Sequence, residues 1–140
     1  MSVPAFEGVR EFPEGTRTAA DAAAAIGCDV AQIVKSLVFR DGDEAVLVLC
    51  SGANTVDEAR LGVRKADAAF VRERTGFAIG GVAPYGWARP PARTLVDEDL
   101  LAFDEVWAAA GSPRHVFPLT PAQLVQRTGA TVADVRPAGA

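Results

Sequence analysis

The six residues Ala45-Val46-Leu47-Val48-Leu49-Cys50 are apolar at every position. A strand with one wet face alternates apolar and polar side chains, so a run without alternation is covered on both faces. It is far shorter than the roughly 18 residues of a membrane span, so the cover must come from the chain itself. Upstream, across the turn signal Asp41-Gly42-Asp43, lies a second β-rich run, Ile33-Val34-Lys35-Ser36-Leu37-Val38-Phe39. Together they read as a central hairpin. Helical signals alternate with strand signals around it, which places the chain in the α/β or α+β class. A length of 140 residues gives one domain, 1–140, without room for two independent cores.

Thr18 caps a helix to Ile26, filled with alanine and closed by Gly27. After the hairpin, Ser51-Gly52-Ala53-Asn54 ends the strand, and Thr55 with Glu58 forms a capping box for a helix to about Leu61. A further helix is expected from Asp67 to Thr75, closed by Gly76. From Phe77 to Arg93 glycine and proline cluster, in Gly80-Gly81-Val82-Ala83-Pro84-Tyr85-Gly86 and Pro90-Pro91, and a structured loop is expected. Arg93-Thr94-Leu95-Val96 reads as a strand ending at Asp97. Alanine propensity makes Phe103 to Ala110 helical, while the turn Gly111-Ser112-Pro113-Arg114 and the strand-like His115-Val116-Phe117 make a hairpin the rival reading. Thr120-Pro121-Ala122-Gln123 is a helix start with cap, N1 proline and box, and Gly129 ends that helix before a last strand, Thr131 to Val135.

Composition excludes several classes. A net charge of -4 argues against a protein that holds nucleic acid by bulk electrostatics, though it leaves room for a basic patch around a small pocket. Cys28 and Cys50 stand in unrelated contexts and His115 is the sole histidine, so neither a zinc site nor a disulfide framework is expected. The first residues carry no signal-peptide pattern. The expectation is a cytoplasmic protein with no metal and no cofactor.

Lys35 is the most informative side chain. It is one of two lysines, with Lys65, against twelve arginines. By two-residue alternation it shares a face with Ile33, Leu37 and Phe39, so its ammonium must enter a cavity, meet a carboxylate or reach out to water. Asp97 is a candidate partner; a plain edge lysine is the bland alternative. The Gly80-Gly81 pair lets main-chain N–H groups approach a carbonyl, oxyanion or phosphate, or makes only a tight turn. No phosphate-loop or dinucleotide pattern accompanies it. Ser112 beside the sole histidine raises nucleophilic catalysis, but a three-residue spacing in a turn is a poor predictor of a Ser–His hydrogen bond and no G-x-S-x-G elbow exists, so a turn serine and a strand-surface histidine are expected; His115 can still line a pocket. Asp97-Glu98-Asp99 reads as helix capping and solvation. Tyr85 and Trp87 either stack on a base or pack the loop down.

Ile33 to Phe39, Thr75 to Gly86, Val96-Asp97-Glu98, Ala110-Gly111-Ser112 and Leu119 to Leu124 stand in an order that resembles the YbaK/ProX family of aminoacyl-tRNA editing domains, also called prolyl-tRNA synthetase-associated domains. The likeness spans about 18–135. It implies a curved mixed sheet, close to a barrel, surrounded by helices, and it favours the hairpin reading of Val106 to Phe117. The implied activity is hydrolysis of the ester between a mischarged amino acid and the terminal adenosine of a tRNA, of the tRNA(Pro) type, by a free-standing deacylase. The attacking group is water or a substrate hydroxyl or thiol. The resemblance gives catalytic roles to Lys35, Gly80 and Gly81, with the two glycine amides on the scissile carbonyl, and a substrate-binding role to Ser51, Asn54, Pro84, Asp97, Gly111, Ser112 and His115. Implied partners are the aminoacyl-tRNA 3′ end and a prolyl-tRNA synthetase, with no membrane; monomer and homodimer both stay open. A non-catalytic tRNA- or synthetase-binding module and a small nucleotide-binding domain are the rival functions.

Overall fold

A computed structural model describes residues 6–12 and 18–137. The strands are β1 (Arg10–Glu11), β2 (Ile33–Asp41), β3 (Glu44–Ser51), β4 (Arg64–Lys65), β5 (Arg93–Asp97), β6 (Val106–Ser112), β7 (His115–Leu119) and β8 (Thr131–Ala133). The helices are α1 (Ala19–Ile26), α2 (Glu58–Leu61), α3 (Ala68–Thr75) and α4 (Pro121–Thr128). Seven strands run in the order β1-β7-β6-β2-β3-β5-β8, and β4 joins β2 off that path. The sheet is mixed: β2–β6, β3–β5 and β5–β8 are parallel and the other pairs antiparallel. Its two ends, β1 and β8, are not paired with each other, so the expected approach to a barrel stops at an open sheet.

The central hairpin is as read. Lys35 lies opposite Cys50 and Phe39 opposite Val46. All six residues of the apolar run are buried: Leu47 and Leu49 pack into one cluster with Val34, Val96 and Phe117, while Val46, Val48 and Cys50 pack into another with Phe39 and Leu95. Elements on both faces remove the whole strand from water, which is why no polar residue interrupts it.

Helix ends follow local chemistry. Thr18 accepts the Asp21 N–H, and Gly27 and Gly129 take left-handed conformations at φ 88° and 68°. Thr120 and Gln123 form the full capping box of α4. The Thr55 cap is corrected: Asp57 caps α2 by accepting the Arg60 N–H, and the helix is one turn. The helical reading of Phe103 to Ala110 is also overturned. Val106 to Ala110 lies in β6, where Trp107 and Ala108 pair with Ile33 and Val34, so sheet pairing overrides alanine propensity.

The flank of β2 that faces away from β3 is interrupted. β6 pairs there only at Ile33 and Val34, and β4 only at Phe39 and Arg40. Lys35 to Val38 have no strand partner on that side among the described residues. The Gly52 N–H donates to the Ile33 carbonyl at 2.7 Å. This fixes the phase: odd-numbered residues of β2 bond to β3, and the main-chain groups of Ser36 and Val38 face the interruption.

Candidate active site

The interruption in the sheet opens into a cavity of about 720 Å³. α1 contributes Ala19 and Ala22, β2 the run Ile33 to Phe39, β6 Trp107 to Ala109, and the glycine loop Ile79, Gly80 and Val82. Lys35 and Gly80, singled out from sequence as the lysine and the bare loop, line the same cavity. Ile79 stands at its rim, 58% exposed. Among the described residues the only charged ones in the lining are Lys35 and Lys65, with no carboxylate.

Lys35 is held by an unanticipated partner. Its Nζ donates to the main-chain carbonyl of Asn54. Asp97, the expected partner, is fully buried and instead accepts the Ser51 N–H at 3.0 Å, the Asn54 Nδ2 at 2.8 Å and the Asp99 N–H at 3.0 Å. Asp99 takes Asn54 Nδ2 as well, at 2.8 Å, and the Arg136 guanidinium lies 3.4 Å from Asp99. Asp97 therefore acts on Lys35 through Asn54: it fixes the segment whose carbonyl receives the ammonium. Ser51, Asn54 and Asp97 stand behind the lysine and do not line the cavity. The Asp97 side chain also caps the short 3-10 turn Glu98–Ala102, as the acidic cluster suggested. Opposite Lys35, burial pushes the Cys50 thiol up to about 12, against a downward pull from the lysine and with a further upward push from Asp97.

The loop after α3 is pinned at several points. Thr75 Oγ1 donates to the Val71 carbonyl at 2.7 Å and accepts the Phe77 N–H at 2.9 Å. Gly80 has φ 92°, a left-handed conformation that favours glycine. The Gly81 N–H donates to the Ala78 carbonyl at 3.0 Å, so it closes a turn and is not offered to a ligand. This corrects the reading that gave both glycine amides to a carbonyl. Among the described residues the N–H groups of Gly80 and Val82 make no hydrogen bond. Gly81 is glycine for a packing reason: a Cβ there would lie 2.7 Å from Ser112 Cα and 2.9 Å from its carbonyl carbon. Pro84 is buried beneath the loop. The Trp87 Nε1–H donates to the Ala83 carbonyl at 2.8 Å, and the Tyr85 ring packs on Phe6 and Phe117. Both aromatics hold the loop down, which decides between the two roles considered for them.

The β6–β7 turn braces this loop from outside the cavity. Gly111 has φ 99°, and the Phe77 ring lies 3.1 Å from where a Cβ would sit. Ser112 Oγ lies 2.9 Å from His115 Nδ1, a contact that their three-residue spacing predicts poorly. The register explains it: Ser112 and His115 face each other across the two-residue turn Pro113-Arg114, and directly opposed residues share a face. Ser112 Oγ also accepts the Arg114 N–H at 2.9 Å, which pins the serine in the turn. Glu11 of β1 lies 3.7 Å from His115 Nε2. Sequence reasoning gave no weight to Lys65 or Ser36, both in the lining. The lysine count was the available signal for Lys65. Ser36 carried none, although its Oγ is the one buried side-chain N/O atom without a hydrogen bond among the described residues.

Comparison with known proteins gives a consistent result. Residues 13–126 match the family described as the aminoacyl-tRNA editing domain. The uncharacterized protein YwhH of Bacillus subtilis (strain 168) is 35% identical over 123 residues, covering 83% of this chain and 78% of that protein. A solved structure described as a candidate trans-editing enzyme for prolyl tRNA synthetase is 51% identical, with a TM-score of 0.86 over 92% of this chain and 85% of that one. The proline–tRNA ligase of Lactobacillus helveticus (strain DPC 4571) is 34% identical over 95 residues, which are 61% of this chain and 16% of the ligase.

Proposed function

The chain belongs to the aminoacyl-tRNA editing domain family, and on that premise we propose that it is a deacylase acting in trans on mischarged tRNA of the tRNA(Pro) type. The catalytic unit is one editing domain with its core over 18–135, working in the cytoplasm beside a prolyl-tRNA synthetase. The observation that carries this reading is the shared cavity: Lys35, its ammonium tethered to Asn54, lines one hollow with Gly80 and Val82, whose main-chain N–H groups make no hydrogen bond among the described residues.

The acyl ester enters with its carbonyl oxygen toward the Gly80 and Val82 amides. These stabilise the charge that develops on that oxygen as water or a substrate hydroxyl or thiol attacks the carbon. Fixed donors of this kind are each worth on the order of 100-fold or more in rate. One Lys35 proton is engaged by Asn54, so the ammonium stays in place and presents its other protons to ribose or phosphate oxygens. Ser112 and His115 support the loop through the Gly81 contact.

A deacylation panel tests the reading. tRNAs carrying different wrong amino acids are incubated with wild type and with Lys35→Ala. The expected result is turnover of at least one species by wild type and a loss of about 100-fold or more in the variant, with the far-UV spectrum unchanged. Undiminished turnover by Lys35→Ala refutes the assignment.

A further inference from the structure

The interruption in β2 has a lysine at each end. Lys35 is the first residue beyond the β6 pairing, and Lys65 is paired with Phe39, the residue at which β4 closes the gap. Both project from the same sheet face, because Lys35 opposes Cys50 and Lys65 opposes Phe39, and Cys50 and Phe39 belong to one core cluster. The four steps from residue 35 to residue 39 span about 13 Å of strand. These are the only lysines in the chain. Lys65 is exposed and forms no ion pair among the described residues, whereas Arg40, Arg60, Arg74, Arg89 and Arg136 all have carboxylate partners. A largely apolar cavity whose described lining carries two cations and no anion is complementary to a ligand that is itself anionic and partly apolar.

We propose that Lys65 is a substrate-binding residue that holds the 5′-phosphate of the terminal nucleoside while its esterified 3′ end lies at Lys35 and Gly80. The identity of this occupant rests on the deacylase reading; the phosphate contact does not. The unpaired main-chain groups of Ser36 and Val38, with the orphaned Ser36 hydroxyl, lie between the two lysines and supply hydrogen bonds along the nucleoside. The polarity follows from the ends of the slot. Gly80 and Val82 supply the amides that an ester carbonyl requires, and among the described residues Lys65 is the one unengaged cation of the lining.

Calorimetric binding of adenosine, 5′-AMP and inorganic phosphate to the full chain tests this without any turnover. Wild type should bind 5′-AMP about five- to tenfold more tightly than adenosine and more tightly than phosphate alone, as expected of one partly exposed charge-assisted contact. Lys65→Gln should abolish the advantage of 5′-AMP and leave adenosine binding unchanged, and Lys65→Arg should retain it. Equal binding of 5′-AMP and adenosine by wild type, or an advantage that survives Lys65→Gln, overturns the proposal, as does phosphate binding as tight as that of 5′-AMP. A negative deacylation panel beside a Lys65-dependent preference for 5′-AMP removes the deacylase reading and keeps the phosphate site; the converse pair of results does the opposite.

Discussion

Asn54 connects the parts of the site. Its carbonyl receives the Lys35 ammonium and its side-chain amide is shared by Asp97 and Asp99. Asn54→Ala leaves the carbonyl but deprives the buried Asp97 carboxylate of a donor, a loss of about 1–3 kcal/mol. Urea unfolding should register that destabilisation, and kcat should fall as Lys35 loses its fixed position. An unchanged midpoint would mean that Asn54 is not held by the carboxylates. Cys50 gives a pH signature. Its folded-state pKa of about 12 lies above its ordinary value of 9.0, so its contribution is intact below pH 9.0 and is lost as pH rises through about 12. The alkaline decline in stability should therefore be shallower in Cys50→Ala, and a thiol reagent at neutral pH should label Cys28 well before Cys50 in the folded protein. At this scale the sequence announced Lys35 and the glycine loop, because a lysine among β-branched neighbours and a double glycine are local anomalies. The resemblance pointed to Asn54 as a substrate-binding residue but not to its bonds with carboxylates more than forty positions away, and the sequence hid the Ser112–His115 contact, which exists only once the turn has set the register.

At the level of elements, legibility tracked locality. The caps of α1 and α4, the terminal glycines and the central hairpin depend on neighbours in the chain and were readable, whereas the cap of α2 was placed at Thr55 and is Asp57. β1 and β4, two residues each, have no pattern to detect and exist only through pairing with β7 and β2. For β6 propensity and resemblance pointed apart: its alanines favour a helix in isolation, the family likeness favoured the hairpin that the structure shows, and the parallel partner that overrides the alanines is distant in sequence. The packing of the β6–β7 turn on the glycine loop is open to direct perturbation. Gly81→Ala would drive a methyl group into the Ser112 backbone, so it should cost about 1–3 kcal/mol and shift the Gly80 and Val82 amides. The measurement is paired: a lower unfolding midpoint, and a drop in kcat larger than any change in KM. A Gly81→Ala enzyme with normal kcat would detach the turn from the function of the loop.

Over the whole molecule, charge and function separate. The chain is net -4, yet the cavity lining carries only positive charge. Two lysines neutralise at most about two phosphates, so the log–log dependence of tRNA affinity on salt should be shallow, about -0.7 to -1.4 for a single-stranded 3′ end. A slope several times steeper would indicate a second basic surface at work. Sequence order indicated the family and the mixed sheet. The open edges and the interruption in β2 could not be read from it, because they depend on where β6 ends its pairing and where β4 begins. That interruption has a bearing on how such a pocket can be remodelled. Its width is set by strand registers, so a one-residue slip in the pairing of β4 with β2 would turn position 65 to the opposite side of the sheet. A change of register, more than point substitutions in the walls, would re-proportion such a slot.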